Sequence, residues 1–395
     1  MQIFLLGWSV TDNPTNARQL HTAYVLTNGK VLVTGGCNDA NVRDTTELYD
    51  PSTGTWTPSF RMNYVRYGHT ASVLTSGKVL VTGGYFGYLL DTTEMYDPST
   101  GTWIITESMN YGRYEHTTSL LTNGKVLVTG GSGIDSGQNS TELYDPSTGT
   151  WTTIGAMNYA RHWHTASVLA NGKVLVTGGG GINGYQNSTE LYDPSTETWT
   201  VTGSMNYRRC WHRASVLTNG KVLVTGGVGI NGYQNSTELY DPSTGTWTTI
   251  GTMNYARHWH TASVLANGKV LVTGGFGIIS FQNSTELYDP STETWTVTGS
   301  MNYARSGHTA SVLTNGKVLV TGGSVDGDSR SAELYDPSTG TWTTTGSMNY
   351  ARYYHVTCVL TNGKVLVAGG KNARWSTFNS AELYDPSVGT WTIVP

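Results

Sequence analysis

The chain repeats one apolar segment, Val-Leu-Val-Thr or Val-Leu-Val-Ala, and two glycines follow each copy. The first copy occupies residues 31–36, and the later copies follow at steps of 47 or 48 residues. The first glycines of the eight pairs are Gly35, Gly83, Gly130, Gly178, Gly226, Gly274, Gly322 and Gly369. A period of this length is that of a whole supersecondary unit, so the chain is predicted to be a repeat protein.

Within one unit, four short segments rich in β-branched and aromatic residues are separated by turn residues. In the unit at residues 161–205 these segments are 164–169, 173–177, 188–193 and 199–202. Asn171-Gly172 is typical of a two-residue hairpin turn, and Pro194 ends the third segment. No helical periodicity is present, so each unit is predicted to form four antiparallel strands, called a to d, which make one blade of a β-propeller.

Eight units carry both a histidine at the start of strand a and a tryptophan in strand d. The histidines are His21, His69, His116, His164, His212, His260, His308 and His355, and the tryptophans are Trp56, Trp103, Trp151, Trp199, Trp247, Trp295, Trp342 and Trp391. Trp8 precedes His21 by the interval that separates Trp295 from His308, which predicts a ninth strand of type d near the N-terminus.

The predicted fold is therefore all-β: a closed eight-bladed propeller with four antiparallel strands per blade, formed as a single domain over residues 1–395. Residues 18–395 supply the eight repeats. Residues 1–17 supply one redundant outer strand that helps close the ring. The strand at Trp391 should fill the fourth place of the last blade, because a tight turn joins it to its partner.

The paired glycines, the Glu-Leu-Tyr-Asp segment and the strand-d tryptophan resemble the kelch repeat, and the resemblance covers nearly the whole chain. It implies blades arranged around a central channel, as in the superfamily that contains the central domain of galactose oxidase. Those oxidases hold copper beside a Cys crosslinked to a Tyr, which the alignment places just before the strand-a histidine on neighbouring blades. That position here holds Leu20, Gly68, Glu115, Trp163, Trp211, Trp259, Gly307 and Tyr354. It includes a Tyr but no Cys, so a copper-radical oxidase is disfavoured, and we expect no enzyme and no cofactor.

Charge and composition exclude several other classes of function. The 23 Lys and Arg and 27 Asp and Glu lie mostly at repeated positions and form no basic run, which disfavours a nucleic-acid or anionic-membrane partner. No run of eighteen apolar residues is present, so no membrane span is expected. Cys37, Cys210 and Cys358 form no CxxC pair, so neither a disulfide framework nor structural zinc is expected.

A residue that recurs in every blade cannot by itself make one asymmetric site. The eight His, Glu and Arg of the repeat are therefore expected to pair within and between blades. Variation is concentrated in the loops between strands b and c and in the two residues before the strand-a histidine, which all lie on one face. Varied loops on a rigid scaffold commonly carry recognition, although relaxed selection on exposed loops gives the same pattern.

The sequence favours a non-enzymatic binding module for a protein segment or a glycan, with a purely structural scaffold as an alternative. The candidate ligand-binding residues are Arg161, His162, Trp163, Tyr185, Arg209, Cys210, Trp211, Tyr233, Arg257, His258 and Trp259. Their rings and guanidiniums would offer stacking surfaces and forked donors at the channel mouth. The alternative is that the indoles pack between blades. His162, Cys210 and His258 would suit copper or zinc only if they converged, and no metal is expected.

Four copies of Asn-Ser-Thr favour an extracellular glycoprotein, although no signal peptide is visible at the start of the chain. The acceptor residues are Asn139, Asn187, Asn235 and Asn283. Residues 253–275 repeat residues 157–179, which indicates a tandem duplication of two blades. An inherited loop sequence therefore explains the same pattern equally well.

Overall fold

The structure is a computed structural model that describes residues 16–133, 137–325, 327–328, 330–372, 374 and 376–394. Eight four-stranded antiparallel sheets follow one another in chain order, each in the strand order a-b-c-d. These are the eight predicted blades, and no helix occurs in the part of the chain that the structure describes. Accordingly, no helix long and apolar enough to cross a membrane is found there.

The strands are short and nearly equal in length from blade to blade. Their bounds are Thr22–Val25, Val31–Thr34, Thr46–Asp50 and Thr55–Pro58 in blade 1; Thr70–Val73, Val79–Thr82, Thr93–Asp97 and Thr102–Ile105 in blade 2; Thr117–Leu120, Val126–Thr129, Thr141–Asp145 and Thr150–Ile154 in blade 3; Thr165–Val168, Val174–Thr177, Thr189–Asp193 and Thr198–Val201 in blade 4; Arg213–Val216, Val222–Thr225, Thr237–Asp241 and Thr246–Ile250 in blade 5; Thr261–Val264, Val270–Thr273, Thr285–Asp289 and Thr294–Val297 in blade 6; Thr309–Val312, Val318–Thr321, Ala332–Asp336 and Thr341–Thr344 in blade 7; and Val356–Val359, Val365–Ala368, Ala381–Asp385 and Thr390–Val394 in blade 8. Short hairpins in the b–c loops of blades 4, 5 and 7 pair Gly180–Gly181 with Gly184–Tyr185, Val228–Gly229 with Gly232–Tyr233, and Ser324–Val325 with Gly327–Asp328.

The ring is closed, as predicted. Strand a of each blade lies against strand a of the next, and Thr22–Val25 lies against Val356–Val359 in the same way. Strand d of blade 8 pairs with strand c and places Trp391 opposite Tyr384, which confirms its predicted position. The strand predicted around Trp8 lies outside the described residues. Because strands a adjoin around the ring, their free edges line the central channel.

The apolar runs of strand b are buried on both faces because each sheet is packed between two neighbouring sheets. Val174, Leu175 and Val176 are fully buried. Val174 and Val176 share a core cluster with Leu127 of blade 3, so the hydrophobic core consists of clusters between neighbouring blades. A strand covered on both sides needs apolar residues at every position, which explains the unbroken Val-Leu-Val.

The paired glycines allow the backbones of adjacent blades to approach closely. Gly178 has a φ of +59°, and a Cβ atom there would lie 2.5 Å from the carbonyl oxygen of Arg209 in the next blade. Gly179 N donates to that same oxygen at 2.8 Å. A side chain at the first glycine would therefore collide with the backbone that the second glycine binds.

The repeated Arg and Glu form a buried ion pair inside each blade, as the sequence predicts. Arg161 donates from Nη1 to the carbonyl oxygen of Gly178 at 2.7 Å and from Nη2 to Glu190 Oε1 at 2.8 Å. Glu190 also accepts hydrogen bonds from the backbone nitrogens of Asn158 and Tyr159. The pair thus ties the segment entering the blade to strands b and c.

Seven of the eight repeated histidines link their blade to the one before it. His212 Nε2 lies 3.0 Å from Thr165 Oγ1 and 3.1 Å from Thr177 Oγ1, both on the preceding blade. Burial lowers the pKa of His212 well below its usual range, so this imidazole is neutral at physiological pH. The histidines are parts of the framework between blades.

Candidate functional site at the channel mouth

One residue from each blade, the residue directly before the strand-a histidine, rings the mouth of the channel. This mouth ring consists of Leu20, Gly68, Glu115, Trp163, Trp211, Trp259, Gly307 and Tyr354. All eight have a φ between +52° and +60°. Neighbouring members are joined through the backbone in places, as where Gly307 N donates to Trp259 O at 3.2 Å. The backbone of the ring is therefore uniform, and only its side chains differ.

Three tryptophans in a left-handed conformation are unusual, because this region of φ is strained for bulky side chains. Trp163, Trp211 and Trp259 have φ values of +53°, +52° and +52°. The framework does not require a side chain at this position, since Gly68 and Gly307 serve in other blades.

The three indoles form one aromatic arc and keep solvent contact. The ring centroids of Trp163 and Trp211 are 4.4 Å apart, and those of Trp211 and Trp259 are 6.0 Å apart. Trp259 is 41% exposed, and the other two are half-buried. The predicted exposure of the indoles is confirmed, and the alternative that they are hidden between blades is wrong.

His162 and Tyr233 extend this arc, with His258 beneath it. The His162 ring lies edge-on to Trp163 at 4.2 Å between centroids. The ring of Tyr233, from a b–c loop, stacks on His258 at 4.7 Å with an angle of 3° between the planes. Tyr185, from the equivalent loop of blade 4, is half-buried. That these residues bind a ligand remains a prediction.

The structure corrects four of the predicted ligand contacts. The side chains of Arg161, Arg209 and Arg257 are 0% exposed. Each guanidinium forms the buried ion pair and donates to backbone carbonyl oxygens of its own blade. They cannot present forked donors at the mouth. Cys210 is also fully buried, and burial raises the pKa of its thiol to about 12. The prediction that all eight repeated arginines pair inside the framework is confirmed. The prediction that Arg161, Arg209 and Arg257 also contact a ligand is wrong.

His162, Cys210 and His258, which would suit a metal only if they converged, do not form such a group. The described residues contain no group of three or more His, Cys, Asp or Glu side chains placed to hold a metal ion. His258 instead directs Nδ1 toward the carbonyl oxygen of Phe276 at 3.1 Å. Cys37, Cys210 and Cys358 are free thiols.

A slot opens in the mouth ring where Gly307 stands between Trp259 and Tyr354. It is a cavity of about 260 Å³, and its aromatic walls include His258, Phe276 and Tyr354. A side chain at Gly307 would project toward Tyr354, since a Cβ atom there would lie 3.9 Å from that ring. The glycine thus leaves space at the end of the tryptophan arc.

A larger cleft, of about 600 Å³, lies away from the arc of blades 4 to 6 that carries the candidate residues. It opens between the loops of blades 2 and 3 and is lined by Tyr85, Tyr88, Tyr111 and Tyr114. Burial, reinforced by the Glu115 carboxylate, raises the pKa of Tyr114. The b–c loop of blade 2 is one residue shorter than those of blades 4 to 6. The step of 47 residues from Gly83 to Gly130 is the feature of the sequence that indicates this difference.

Arg213 was missed because it directly follows a framework histidine. It is the first residue of strand a in blade 5, where six other blades have Thr and blade 8 has Val356. Its side chain is exposed, unlike the eight framework arginines. Comparison of equivalent positions along the channel wall would have identified it.

The Asn-Ser-Thr segments have a structural explanation in the framework. Asn139 Nδ2 donates to a backbone carbonyl of the next passage at 3.0 Å, and Arg113 Nη2 donates to Ser140 Oγ at 3.0 Å. Thr141 Oγ1 accepts a hydrogen bond from Trp199 Nε1 of the next blade at 3.1 Å. Asn187, Asn235 and Asn283 use their amides in the same way. Glycosylation and an extracellular location stay predictions, which the intact mass of protein secreted by a eukaryotic host would test.

Two protein-family models match the sequence of the chain. The KLHDC2/KLHL20/DRC7 Kelch-repeats domain matches residues 68–275 and 135–323, and the Kelch motif matches residues 20–59, 304–349 and 352–395. A search of curated proteins gives no match.

Two solved structures share the fold at low sequence identity. A fungal alcohol oxidase of the AA5 family, in complex with copper, is 17% identical with a TM-score of 0.61, and the alignment covers 98% of this chain and 99% of that one. The structure of YjhT is 18% identical with a TM-score of 0.50, over 73% of this chain and 99% of its own. At these identities the similarity concerns the fold alone.

Proposed function

Since the chain belongs to the kelch-repeat family of β-propellers, we propose that it is a non-enzymatic binding module that receives a protein segment at the channel mouth. Kelch propellers commonly bind proteins. The ligand would lie across the tryptophan arc of blades 4 to 6. A fold does not by itself specify a function, so the proposal depends on the residues at the mouth.

The observation that carries the proposal is the conformation of the three tryptophans. A non-glycine residue in the left-handed region costs on the order of 1–3 kcal/mol, and such strain is concentrated at functional sites. Glycine at Gly68 and Gly307 shows that the ring forms without a side chain. Strained, partly exposed indoles give the framework no evident benefit, whereas they are typical anchors of binding interfaces.

A protein segment fits this surface better than a glycan does. The aromatic contacts continue from Trp211 through His258 to Phe276. The framework arginines of this arc, Arg161, Arg209 and Arg257, are buried, and Cys210 is buried as well. A sugar brings many hydroxyl groups, each of which needs a hydrogen-bond partner when water is removed. Apolar and aromatic side chains of a peptide have no such requirement.

The chemistry of the mouth supports binding without catalysis. Burial raises the pKa of the Cys210 thiol to about 12, so it is a poor nucleophile at neutral pH. The framework histidines are neutral, and seven of the eight contact threonines of the preceding blade, as His212 does. Tyr354 has no cysteine at the equivalent position of a neighbouring blade. We expect no alcohol-oxidase activity, and stoichiometric copper together with peroxide release from sugars or aldehydes would overturn this proposal.

The test is a displayed peptide library beside a glycan array, applied to the full-length protein. Binders from the library should lose on the order of 2 kcal/mol of affinity with Trp211→Ala. Phe60→Ala is the matched control, because Phe60 is an exposed aromatic residue outside the mouth ring. Selective glycan binding that depends on Trp211, or equal effects of the two substitutions, would contradict the proposal.

A further inference from the structure

We propose that the cleft between the loops of blades 2 and 3 is a second binding site, and that it receives a small molecule carrying a quaternary ammonium group. Its volume of about 600 Å³ lies within the range of small-molecule sites, about 300–1,000 Å³. The residues that line it belong to blades 2 and 3, so the site is distinct from the tryptophan arc of blades 4 to 6. The inference is therefore independent of the proposed function.

Two departures from the repeat shape this cleft. The b–c loop of blade 2 is one residue shorter than those of blades 4 to 6, and Gly112 stands where five other blades have Ala. A Cβ atom at Gly112 would lie 2.5 Å from the carbonyl oxygen of Leu89 in that loop. Glycine therefore lets the shortened loop lie against the passage into blade 3, and both residues line the cleft.

Four tyrosines form the aromatic walls of the cleft. Tyr85 and Tyr88 come from the b–c loop of blade 2, and Tyr111 and Tyr114 come from the passage into blade 3. The ring centroids of Tyr85 and Tyr114 are 6.0 Å apart with 55° between the planes, so these rings meet at an angle and do not stack face to face. The rings of Tyr88 and Tyr111 are exposed. A ligand in the cleft would thus meet tyrosine rings from two sides.

The two side-chain amides that line the cleft are already hydrogen-bonded within the protein. Asn110 Nδ2 donates to Thr153 Oγ1 at 2.8 Å, and Gln138 Nε2 donates to the carbonyl oxygen of Gly112 at 2.8 Å. A saccharide brings many hydroxyl groups that need partners when water is removed, so these engaged amides serve it poorly. The rings are the main feature that the cleft offers to a ligand.

A carboxylate stands behind the wall of the cleft. Glu115 accepts a hydrogen bond from the lining residue Ser132 at 3.1 Å. Burial raises the pKa of Tyr114, and Glu115 adds to this effect, which places the carboxylate beside a second lining residue. Among the described residues, no Lys or Arg lines the cleft and none forms an ion pair with Glu115. The framework Arg113 is engaged by Glu142 at 2.8 Å.

These features select a cation with an apolar surface as the ligand group. The negative face of an aromatic ring attracts a cation within about 6 Å of its centroid, and the attraction grows when the cation is desolvated. A quaternary ammonium group has no N–H that needs an acceptor, so the engaged amides do not count against it, whereas a primary ammonium has three donors to satisfy. Glu115 supplies the opposite charge from behind the rings, and the volume leaves space for a short attached chain.

The experiment compares choline with 3,3-dimethyl-1-butanol, which has the same shape with carbon in place of the charged nitrogen. Ligand-observed NMR titration of the full-length protein gives the dissociation constant of each. The first test variant is Tyr85→Val, which introduces the residue that blade 5 has at this position, Val228, and should fold. The second is Glu115→Gln, which removes the charge and keeps the shape. The matched control is Phe276→Val, the same change at the equivalent position of blade 6.

The unmodified protein and Phe276→Val should bind choline about tenfold more tightly than the neutral alcohol. Tyr85→Val should weaken choline binding by about fivefold or more because it removes one wall of the cleft. Glu115→Gln should weaken it by about twofold to threefold because it removes the opposite charge. Equal binding of the two probes, or choline binding that neither variant changes, would make the inference wrong.

The variant Trp211→Ala and a peptide containing trimethyl-lysine complete the test. Choline binding that persists in Trp211→Ala supports a site separate from the tryptophan arc. Choline binding that is lost in Trp211→Ala and kept in Tyr85→Val would place the cation on that arc and overturn the inference. Tyr85-dependent binding of the peptide without binding of choline would overturn the assignment to a small molecule. The effect of Trp211→Ala on library peptides tests the proposed function alone.

Discussion

The polar framework between the strands and the mouth ring above it use the same eight blades in opposite ways. In the framework, every blade has the same buried Arg-Glu pair and a buried His, and seven of the eight histidines contact threonine of the preceding blade, as Arg161, Glu190 and His212 show. In the mouth ring the backbone is equally constant, but its side chains range from glycine to tryptophan. Constancy at buried positions reflects packing and satisfied polar groups, whereas variation on a constant backbone is what the proposed recognition role requires.

Acid is expected to have the largest effect on the framework, because it should lower the stability of all eight blades. Burial lowers the pKa of all eight framework histidines below the value near 6.5 that they have in an unfolded chain. The unfolded state therefore binds more protons below about pH 6.5, and stability is lost as the pH falls through that value. Carboxylates such as Asp97, with a pKa of about 2, lose their contribution only below about pH 4.

The measurement is the free energy of unfolding by denaturant at a series of pH values. Between pH 6.5 and 5 its slope should approach the uptake of at least eight protons, since the folded state leaves these imidazoles neutral and burial also lowers the pKa values of His162 and His258. His164→Gln should reduce the slope by one proton. A stability that does not change over this interval would show that the histidines are protonated in the folded state.

The second change breaks one buried ion pair. Arg161→Met leaves the Glu190 carboxylate buried without its cation and should reduce the free energy of unfolding by about 3–5 kcal/mol. The control is Arg161→Met combined with Glu190→Gln, which removes the charge and should recover part of the loss. Urea unfolding followed by tryptophan fluorescence measures both. A loss below about 1 kcal/mol in the single variant would mean that the pair contributes little.

The third change concerns the contact between blade 8 and blade 1, where the framework lacks the threonines of the repeat. His21 Nε2 is buried without a partner among the described residues, because blade 8 has Val356 and Ala368 where six other blades have two threonines. Val356→Thr with Ala368→Thr should restore the missing hydrogen bond and raise stability by about 1 kcal/mol. Thermal unfolding of the double variant checks this. An unchanged or lower Tm would mean that the closing contact is limited by packing.

The sequence was sufficient to predict the blades because eight copies of one pattern report on the same environment. The Arg-Glu pair and the closed ring followed from that repetition. The sequence alone could not decide whether Arg161 is buried or contacts a ligand, because arginine is common both in buried ion pairs and at binding surfaces. The cleft at Tyr85 and the side chain of Arg213 depend on a loop deletion and a single substitution, whose consequences require three-dimensional neighbours.

The smallest expected effect on stability comes from the mouth ring, and it separates the two regions most directly. Trp259→Gly removes a 41% exposed indole from a residue with a φ of +52°, so the relief of backbone strain offsets the loss of ring contacts. The free energy of unfolding should change by less than about 1 kcal/mol, because exposed substitutions rarely change stability by more than that. Trp199→Ala is the framework control: its indole Nε1 donates to Thr141 Oγ1 of the preceding blade at 3.1 Å, and its loss should be several times larger. Peptide binding should respond in the reverse order, falling for Trp259→Gly and persisting in the folded fraction of Trp199→Ala. If Trp259→Gly instead destabilised the ring as much as Trp199→Ala, the tryptophan arc would belong to the framework, and its strained conformation would need a structural explanation.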